Sequence, residues 1–429
     1  MQINNPSKFH IQGLLIVLIF ILIPPAFLFN YGLMPLVQDE PTRALIAKEI
    51  EISGNYIVPT INGEYYYNKP PVYNWIIAAI MHVSPEVNAF LIRLPAILSF
   101  FIFTFCVYRF AAPYLGKIPA LMAALFNLTY GVWLFYGSLL GYIDNTFSLL
   151  VFCSFIAIYK YIHQDAYWKL FIVSYLLVAM GFLLKGMPAL VFQGLTLVSV
   201  FVVEKKWKHL FKLPHLAGVF VFLFVVGTYF YCYARYNSLD PFFKTIWTES
   251  SKRTVLEKSY LDSFLYLFVF PFKQIFELLP WSLLILFCLR KESLAAMRHD
   301  KFIRFCFVVL LANSIPYWLS PDTQARYIQM LYPLGFIILV YAYMHFKDVF
   351  SGYTYWINRV FGVLCILACL ATLAPLFAEQ TSIIHYRYVK SILLFMAACG
   401  ILFLFIRFPA QRIMSTVAML LLVRIGFNM

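Results

Sequence analysis

The chain has 429 residues, of which 62% are hydrophobic and only 12% are charged, and its mean hydropathy is +0.80. This composition excludes a water-soluble globular protein and indicates a polytopic membrane protein. The net charge of +14 is spread over many loops, which argues against a nucleic-acid-binding face. All eight cysteines fall inside apolar runs, where we expect small buried side chains rather than disulfides or metal ligands.

Apolar runs follow one another along the whole sequence, each close to the ~20 residues with which a helix crosses a bilayer. They predict an all-α polytopic membrane protein of about 13 transmembrane helices, in a single domain that spans residues 1–429. The runs are 11–31, 89–110, 117–138, 143–162, 168–184, 187–203, 215–235, 264–289, 303–319, 327–346, 356–378, 391–407 and 413–428.

Charged loops predict the orientation of the chain in the cytoplasmic (inner) membrane. With a cytoplasmic N-terminus, most basic short loops face the cytoplasm, as the positive-inside rule requires. The loops 32–88 and 237–263 then face the periplasm. A shared anionic ligand would explain the basic residues on that outer face; alternatively, each snorkels to lipid headgroups or pairs with a nearby acid. These residues are Lys69, Lys185, Arg253 and Arg326.

The first outer loop opens with the polar segment 37–43, which carries two adjacent carboxylates, Asp39 and Glu40. Pro41 and Gly54 predict the start and the stop of an amphipathic helix that lies on the membrane surface. The alternative explanation of Asp39 is that it serves only as the N-cap of this helix.

Further along the same loop, a tyrosine run ends at Tyr67, and Lys69 precedes Pro70 and Pro71. Two prolines stiffen the backbone, so Lys69 is suited to grip a phosphate as a point charge. The tyrosines suit a ligand with one apolar and one polar end, with membrane anchoring as the alternative. A second interfacial helix is predicted from Val72.

At these residues the chain resembles membrane glycosyltransferases of the GT-C class, specifically the 4-amino-4-deoxy-L-arabinose transferase-like and protein O-mannosyltransferase-like families. The matching points are Asp39-Glu40 and the segments 46–49, 53–59, 62–63, 69–75 and 93–95, with weaker matches at Asp144, Lys185-Gly186, 279–281 and Arg326-Tyr327. The resemblance implies a GT-C helical bundle in which interfacial helices roof the site.

The resemblance also implies an activity: transfer of a sugar from a polyprenyl-phosphate carrier to a lipid, glycan or protein acceptor on the outer face of the membrane, as in lipid A modification or protein glycosylation. Such a donor already bears a good leaving group, so catalysis needs charge neutralisation on the phosphate and a positioned nucleophile. The phosphate-binding candidates are Lys69, Arg43, Lys185 and Arg326, and the candidates for lipid or substrate contact are Tyr67, Tyr327 and Arg253.

Three carboxylates are the catalytic candidates. If the acceptor is a hydroxyl, Asp39 is the candidate general base; if the acceptor is a phosphate, Asp39 would instead orient a substrate. Glu40 is expected to hold Asp39 or a basic partner in place. Asp144 lies at the mouth of a predicted helix, where an N-cap is the alternative role. In-line displacement predicts inversion at the sugar carbon.

The sequence departs from the family pattern in ways that affect metal binding and acceptor recognition. Thr42 stands where many relatives carry an arginine. Asn68 replaces a glutamate that often precedes the Lys-Pro pair, and the loop around Ser250 lacks the histidine that some relatives use for a metal. We therefore assign no cofactor as certain: a divalent metal stays an alternative, although its usual ligands are replaced by Asn68 and Ser250. No soluble C-terminal domain of the kind found in larger members is expected after Met429.

Two other functions fit part of the pattern. A transporter or flippase of a lipid-linked glycan would also use many helices, basic groups and tyrosines, but transporters more often show repeats and charges near the bilayer midplane. A surface polysaccharide ligase or polymerase would place its key residues in a large later loop. The longest outer loop here is the first, which favours the transferase.

Overall fold

The structure is a computed structural model that describes residues 6–84, 88–251, 260–321, 323–377, 381 and 384–429. For residues 6–9, 249–251 and 260–263 it describes the backbone only. In chain order the α-helices are α1 (Pro6–Leu28), α2 (Glu40–Ser53), α3 (Val72–Val83), α4 (Ala89–Leu115), α5 (Lys117–Thr129), α6 (Gly131–Phe135), α7 (Ile143–Ile162), α8 (Tyr167–Lys185), α9 (Pro188–Val203), α10 (Leu213–Ala234), α11 (Asp240–Ser251), α12 (Tyr260–Glu277), α13 (Ile285–Cys288), α14 (Lys291–His299), α15 (Lys301–Trp318), α16 (Tyr332–Phe346), α17 (Ser351–Ala371), α18 (Arg387–Arg407) and α19 (Arg412–Asn428).

Short 3₁₀ helices and one small hairpin complete the described secondary structure. The strands β1 (Thr60–Ile61) and β2 (Glu64–Tyr65) pair in antiparallel fashion. The 3₁₀ segments are Gly137–Leu139, Trp207–Phe211, Trp281–Leu284, Ala325–Tyr327, Gln329–Leu331, Ala374–Leu376 and Pro409–Gln411.

The architecture is an all-α membrane-spanning bundle, as predicted, but the predicted number of spans is not confirmed. Within the described residues, nine helices are long and apolar enough to cross a membrane, and the number rises to eleven if two bent pairs each count as one span. Two other predicted runs are helical but fall outside that set: α9 has only 16 residues, and α15 begins with Lys301 and Arg304. The apolar runs thus predicted helices correctly, and the count of 13 spans is not confirmed.

The two bent pairs meet at their breaks. One pair bends by 49° between α5 and the segment after Tyr130, and the other by 110° before Trp281, where Pro280 lacks the N–H needed to continue a helix. The N–H of Gly131 donates to the carbonyl oxygen of Leu279 at 2.8 Å. This hydrogen bond joins the two breaks and pairs one backbone group from each of them. A cavity described below is lined by residues next to both breaks.

The first outer loop folds as predicted into two helices that lie against each other, α2 and α3. Gly54 ends α2 with φ of 68°, a left-handed conformation that glycine adopts without strain. Between the helices, Glu49 accepts hydrogen bonds from the β1–β2 hairpin, including one from the Thr60 hydroxyl at 2.6 Å. The Tyr229 hydroxyl of α10 donates to the carbonyl oxygen of Ile57 at 3.0 Å, which ties the loop to the bundle.

Central helices carry the site at their outer ends, meaning the ends on the side of residues 32–84. Of the residues in the membrane-spanning stretch of α7, 61% are buried, and for Gln329–Phe346 the share is 67%. In α1 and α17 only 22% of the corresponding residues are buried. The outer end of α7 therefore lies deep in the bundle, where protein groups surround it in place of lipid. Polar side chains can be kept there only if other protein groups or a ligand satisfy them.

Candidate active site at the outer helix ends

Glu40 is held by a clamp that reaches across the outer ends of the helices. The side chain is 1% exposed and Arg93, at the start of α4, is 0% exposed. Arg93 donates to both carboxylate oxygens, from Nε at 2.8 Å and from Nη2 at 2.9 Å. Its remaining donors bind the carbonyl oxygens at the end of the preceding segment, namely those of Tyr31, Met34 and Pro35.

Two backbone N–H groups complete the coordination of Glu40. Val37 donates to Oε2 at 2.9 Å and Gly141 to Oε1 at 2.6 Å. Gly141 has no side chain for a steric reason, because a Cβ there would lie 3.2 Å from Glu40 Oε1 and 3.3 Å from the Cα of Arg93. Glu40 thus connects the polar segment 37–43 to the residues immediately before α7. Each hydrogen bond that its carboxylate accepts comes from the Arg93 guanidinium or from a backbone N–H group.

Gln38 forms a second attachment to the same place. Its side-chain oxygen accepts from the Tyr142 hydroxyl at 2.6 Å, and its amide donates to the Tyr136 hydroxyl at 2.5 Å. Burial, followed by the hydrogen bond with Tyr136, raises the pKa of Tyr142, so its hydroxyl keeps the proton that it donates. The residues on both sides of Asp39 are therefore fixed to the entry of α7.

Asp39 itself is exposed, in contrast to its neighbour. It occupies the N-cap position of α2, yet its side chain makes no capping hydrogen bond. The N-cap explanation thus gains no support from the geometry. Because Gln38 and Glu40 are anchored to residues 141 and 142, Asp39 is held near the mouth of α7, and within the described part of the chain its carboxylate makes no hydrogen bond.

Asp144 pairs with Lys185 in the same region. Lys185 Nζ donates to Asp144 Oδ1 at 2.5 Å, and the two residues are 7% and 3% exposed. Asp144 lies in the first turn of α7, whose N-cap residue is Tyr142, so the side chain serves the ion pair and not the cap. The Lys185 ammonium also lies 4.8 Å from the centre of the Phe147 ring and 5.2 Å from that of Tyr327.

Arg326 covers this pair from the segment before α16. Its guanidinium lies 4.3 Å from the centre of the Tyr142 ring and 5.5 Å from that of Tyr327. Burial lowers the pKa of Arg326, but the Asp144 carboxylate and the neighbouring tyrosines raise it by more, which leaves a net increase. Its Nε and Nη1 atoms are buried and make no hydrogen bond to the described residues. Arg326 therefore offers two donors to a ligand.

Arg43 lies one turn after Glu40 on α2, beside the tyrosine run. Arg43 is 5% exposed, donates to the Asn74 side chain at 3.5 Å and lies 5.6 Å from the centre of the Tyr66 ring. Its Nε is buried and has no hydrogen-bond partner in the described part of the chain. The Tyr67 hydroxyl accepts from Asn237 at 3.2 Å. Lys69 is half-buried at the bend before the two prolines.

The remaining candidates concern the second outer loop and metal binding. Arg253 lies outside the described residues, and nothing is described of the Ser250 side chain. Asn68 is exposed. Among the residues that the structure describes, no group of three or more His, Cys, Asp or Glu side chains comes together in a way that could hold a metal ion. We therefore derive no chemical step through a metal.

Several residues that build the site were not among the sequence candidates. Arg93 appeared only as part of a motif, although an arginine at the start of an apolar run is a sign of a buried partner. Lys273 and Glu277 form an ion pair at 4.0 Å on α12, and the i, i+4 spacing of opposite charges in an apolar run was the available signal. Tyr142 and Gln38 carried no recognisable signal, because their roles arise from contacts across the loop.

Comparisons with known proteins agree with this architecture. The model of the dolichyl-phosphate-mannose-protein mannosyltransferase family matches residues 68–231. An undecaprenyl phosphate-alpha-4-amino-4-deoxy-L-arabinose arabinosyl transferase of Pseudomonas fluorescens is 24% identical over 399 residues, which cover 88% of this chain and 65% of that protein. A relative of the same name from Pseudomonas paraeruginosa is 26% identical over 334 residues, which cover 75% of this chain and 57% of that protein. The chain thus spans less than two thirds of the length of both relatives.

Solved structures show the same fold over nearly the whole chain. The crystal structure of ArnT from Cupriavidus metallidurans bound to undecaprenyl phosphate has a TM-score of 0.73 at 19% identity, and covers 97% of this chain and 76% of that one. The apo structure of the same protein has a TM-score of 0.70. The resemblance inferred from the sequence is therefore confirmed: this chain has the GT-C fold and is similar along most of its length to the 4-amino-4-deoxy-L-arabinose transferases.

Proposed function

We propose that the protein transfers a sugar from a polyprenyl-phosphate donor to a lipid, glycan or protein acceptor at the outer face of the cytoplasmic membrane. One observation carries the proposal. Asp39 is exposed and lacks a capping contact, while the residues on either side of it are fastened to the mouth of α7. Such an arrangement positions a carboxylate for chemistry and leaves its oxygens available, which a purely structural residue does not require.

The basic residues divide into two roles. Two buried donors of Arg326 have no hydrogen-bond partner among the described residues, so we assign Arg326 to the donor phosphate. Lys185 is already paired with Asp144, so this pair carries no net charge and orients the site. Arg43 and Lys69 would contact the same lipid-borne phosphate from the side of α2, and Tyr67 and the loop that contains Arg253 would contact the lipid or sugar.

The transfer itself is an in-line displacement. The acceptor oxygen attacks the anomeric carbon, the bond from that carbon to the phosphate oxygen breaks, and its electron pair leaves with the phosphate. Asp39 takes the proton of a hydroxyl acceptor as general base. If the acceptor oxygen belongs to a phosphate, it needs no base, and Asp39 orients the sugar. Both cases invert the configuration at the anomeric carbon.

The names of the relatives suggest the first substrates to test. They name undecaprenyl phosphate as the carrier and 4-amino-4-deoxy-L-arabinose as the sugar of those proteins. We propose a carrier of the same chemical class for this chain, and lipid A as the first acceptor to examine. A site facing the periplasm follows from the cytoplasmic position of most basic loops.

The test uses the purified full chain with a panel of polyprenyl-phosphate sugars and measures release of the free carrier phosphate. Asp39→Asn is expected to lower turnover by about 10²–10⁴-fold with a hydroxyl acceptor, as loss of a general base does. Glu64→Gln is the matched control, because Glu64 is an exposed carboxylate of the same loop and lies away from the helix ends. Near-normal transfer by the Asp39 variant would contradict its chemical role, and a product with retained configuration would contradict in-line displacement.

A further inference from the structure

A cavity of about 340 Å³ lies between the two helix breaks, at the outer end of the bundle. Its size is within the range of sites that hold small organic ligands. One wall is apolar and aromatic and includes Trp133, while Gln38 lines it next to Asp39. The opposite wall carries three charged residues, namely Lys273, Glu277 and Arg326.

Lys273 has donors to spare. Its ammonium group has three N–H bonds, and one of them binds the carbonyl oxygen of Thr323 at 2.6 Å. Glu277 lies 4.0 Å away, beyond hydrogen-bond distance, and its Oε2 already accepts from Tyr332 and from Gln274, each at 3.1 Å. Glu277 therefore holds Lys273 in place without using up its hydrogen bonds.

The number of available hydrogen-bond donors indicates which kind of phosphate group this wall can bind. Lys273 offers two N–H bonds that the described contacts leave unused, and the Arg326 guanidinium adds a second positive charge to the lining of the cavity. A phosphodiester presents only two non-bridging oxygens and carries one negative charge. A phosphate monoester presents three terminal oxygens and carries up to two charges, with a second pKa near ~6. The spare N–H bonds of Lys273 can therefore bind the additional terminal oxygen that the monoester has and the diester lacks.

We propose that Lys273 and Arg326 together bind the phosphate of the polyprenyl carrier, and that Lys273 stabilises the second negative charge that this phosphate gains as the sugar leaves. This inference rests on the proposed function. When the bond between the anomeric carbon and the phosphate oxygen breaks, that oxygen keeps the electron pair and becomes the third terminal oxygen. The acceptor proton passes to Asp39, so the charge stays on the phosphate beside Lys273.

An interaction that strengthens as charge develops lowers the barrier instead of only tightening the ground state. Lys273 therefore acts chiefly on kcat and on product binding, whereas Arg326 acts on donor and product alike. A merely structural lysine, which held the 320–327 loop through Thr323, would change both lipids' affinities together.

The experiment compares two non-reactive probes that bind the full purified chain in detergent. One is a polyprenyl monophosphate and the other is the methyl diester of the same lipid, which keeps a single charge at every pH used. Dissociation constants are measured by tryptophan fluorescence at pH 5 and pH 8. The wild type is expected to bind the monoester more tightly at pH 8 than at pH 5, and the diester equally at both.

Two variants at one position separate charge from hydrogen bonding. Lys273→Gln keeps an N–H donor for Thr323 and loses the charge, while Lys273→Arg keeps both. The glutamine variant is expected to lower the preference for monoester over diester at pH 8 by about tenfold or more, as loss of a charge-assisted hydrogen bond does. Its kcat is expected to fall by a similar factor with little change in donor KM. The arginine variant is expected to retain most of the preference.

The possible results distinguish failure of the proposed function from failure of the inference about Lys273. If the wild type binds neither carrier lipid, the proposed function fails. If the wild type and Lys273→Gln bind both lipids and show the same preference, the inference about Lys273 fails and the proposed function stands. If both lipids weaken equally in Lys273→Gln, the lysine is structural, and the inference is overturned. Lys208→Gln, an exposed lysine of the 3₁₀ segment Trp207–Phe211, is the matched control and is expected to bind as the wild type does.

Discussion

Replacing Glu40 by Gln tests the clamp at the outer helix ends, because the change keeps the shape of the side chain and removes its charge. Each carboxylate oxygen accepts one bond from Arg93 and one from a backbone N–H. An amide has only one oxygen. Whichever position receives the NH2 group then faces two donors, so two bonds are lost and a buried guanidinium loses its counter-charge.

The energetic cost follows from this geometry. Removing one partner of a buried ion pair destabilises a protein by about 3–5 kcal/mol, since an uncompensated charge remains inside. Both side chains are at most 1% exposed, so solvent cannot repair the loss. The adjacent Asp39→Asn exchange is the natural comparison, because Asp39 is exposed and makes no capping bond; we expect its effect to stay within about 0.5 kcal/mol.

A thiol-reactive dye measures unfolding in detergent, because one of the eight cysteines, Cys399, is exposed and the others are at least partly buried. We expect Glu40→Gln to lower the apparent melting temperature by roughly 3–6 °C and Asp39→Asn to leave it almost unchanged. Turnover should show the opposite contrast at a temperature where both variants are folded. A Glu40→Gln protein that melts with the wild type would refute the clamp as a stabilising structure.

Three further predictions concern other parts of the site. Asp144→Asn and Lys185→Met each remove one partner of a buried ion pair, so each single variant should lose about 3–5 kcal/mol of stability. The double variant should lose less than the sum of the two single losses. A double-mutant cycle on melting temperatures checks this, and additive losses would contradict the pairing. Gly141→Ala should cost about 1–3 kcal/mol through overpacking, whereas Gly13→Ala, where a Cβ meets nothing within 4 Å, should be neutral or slightly stabilising; equal melting temperatures for the two variants would count against the close approach. Arg43→Lys keeps the charge but loses the planar group beside Tyr66, so donor KM should rise severalfold while Glu64→Gln remains normal; an unchanged KM would remove Arg43 from the donor site.

Apolar runs and helix start and stop residues predicted the helices well. A membrane span needs a long apolar run, and a surface helix needs residues that begin and end it. Gly54 ends α2 where the sequence placed its stop. The sequence did not predict the breaks inside two of the runs. Pro280 interrupts the run 264–289 and redirects the chain by 110°, and a window of hydropathy averages over such a bend.

The sequence pointed to residues whose charge is unusual beside an apolar run, and it missed residues whose contacts depend on a distant partner. Asp39, Glu40, Lys185 and Arg326 stood out as charges beside apolar runs, and the structure gathers them at the outer helix ends. Tyr142 is an unremarkable tyrosine until its hydroxyl meets Gln38. The sequence also could not predict the partner of each charged residue, because pairings such as Glu40 with Arg93 depend on how distant segments pack.

The clamp has a consequence for the biogenesis of the protein. Arg93 sits in a segment that must insert into the bilayer, and a lone arginine there opposes insertion. Its partner Glu40 lies earlier in the chain, so it is synthesised before α4. The pair can enter the bundle with its charge cancelled. The N–H of Gly141 arrives later and closes the coordination shell, so the order of synthesis follows the order in which the contacts become necessary.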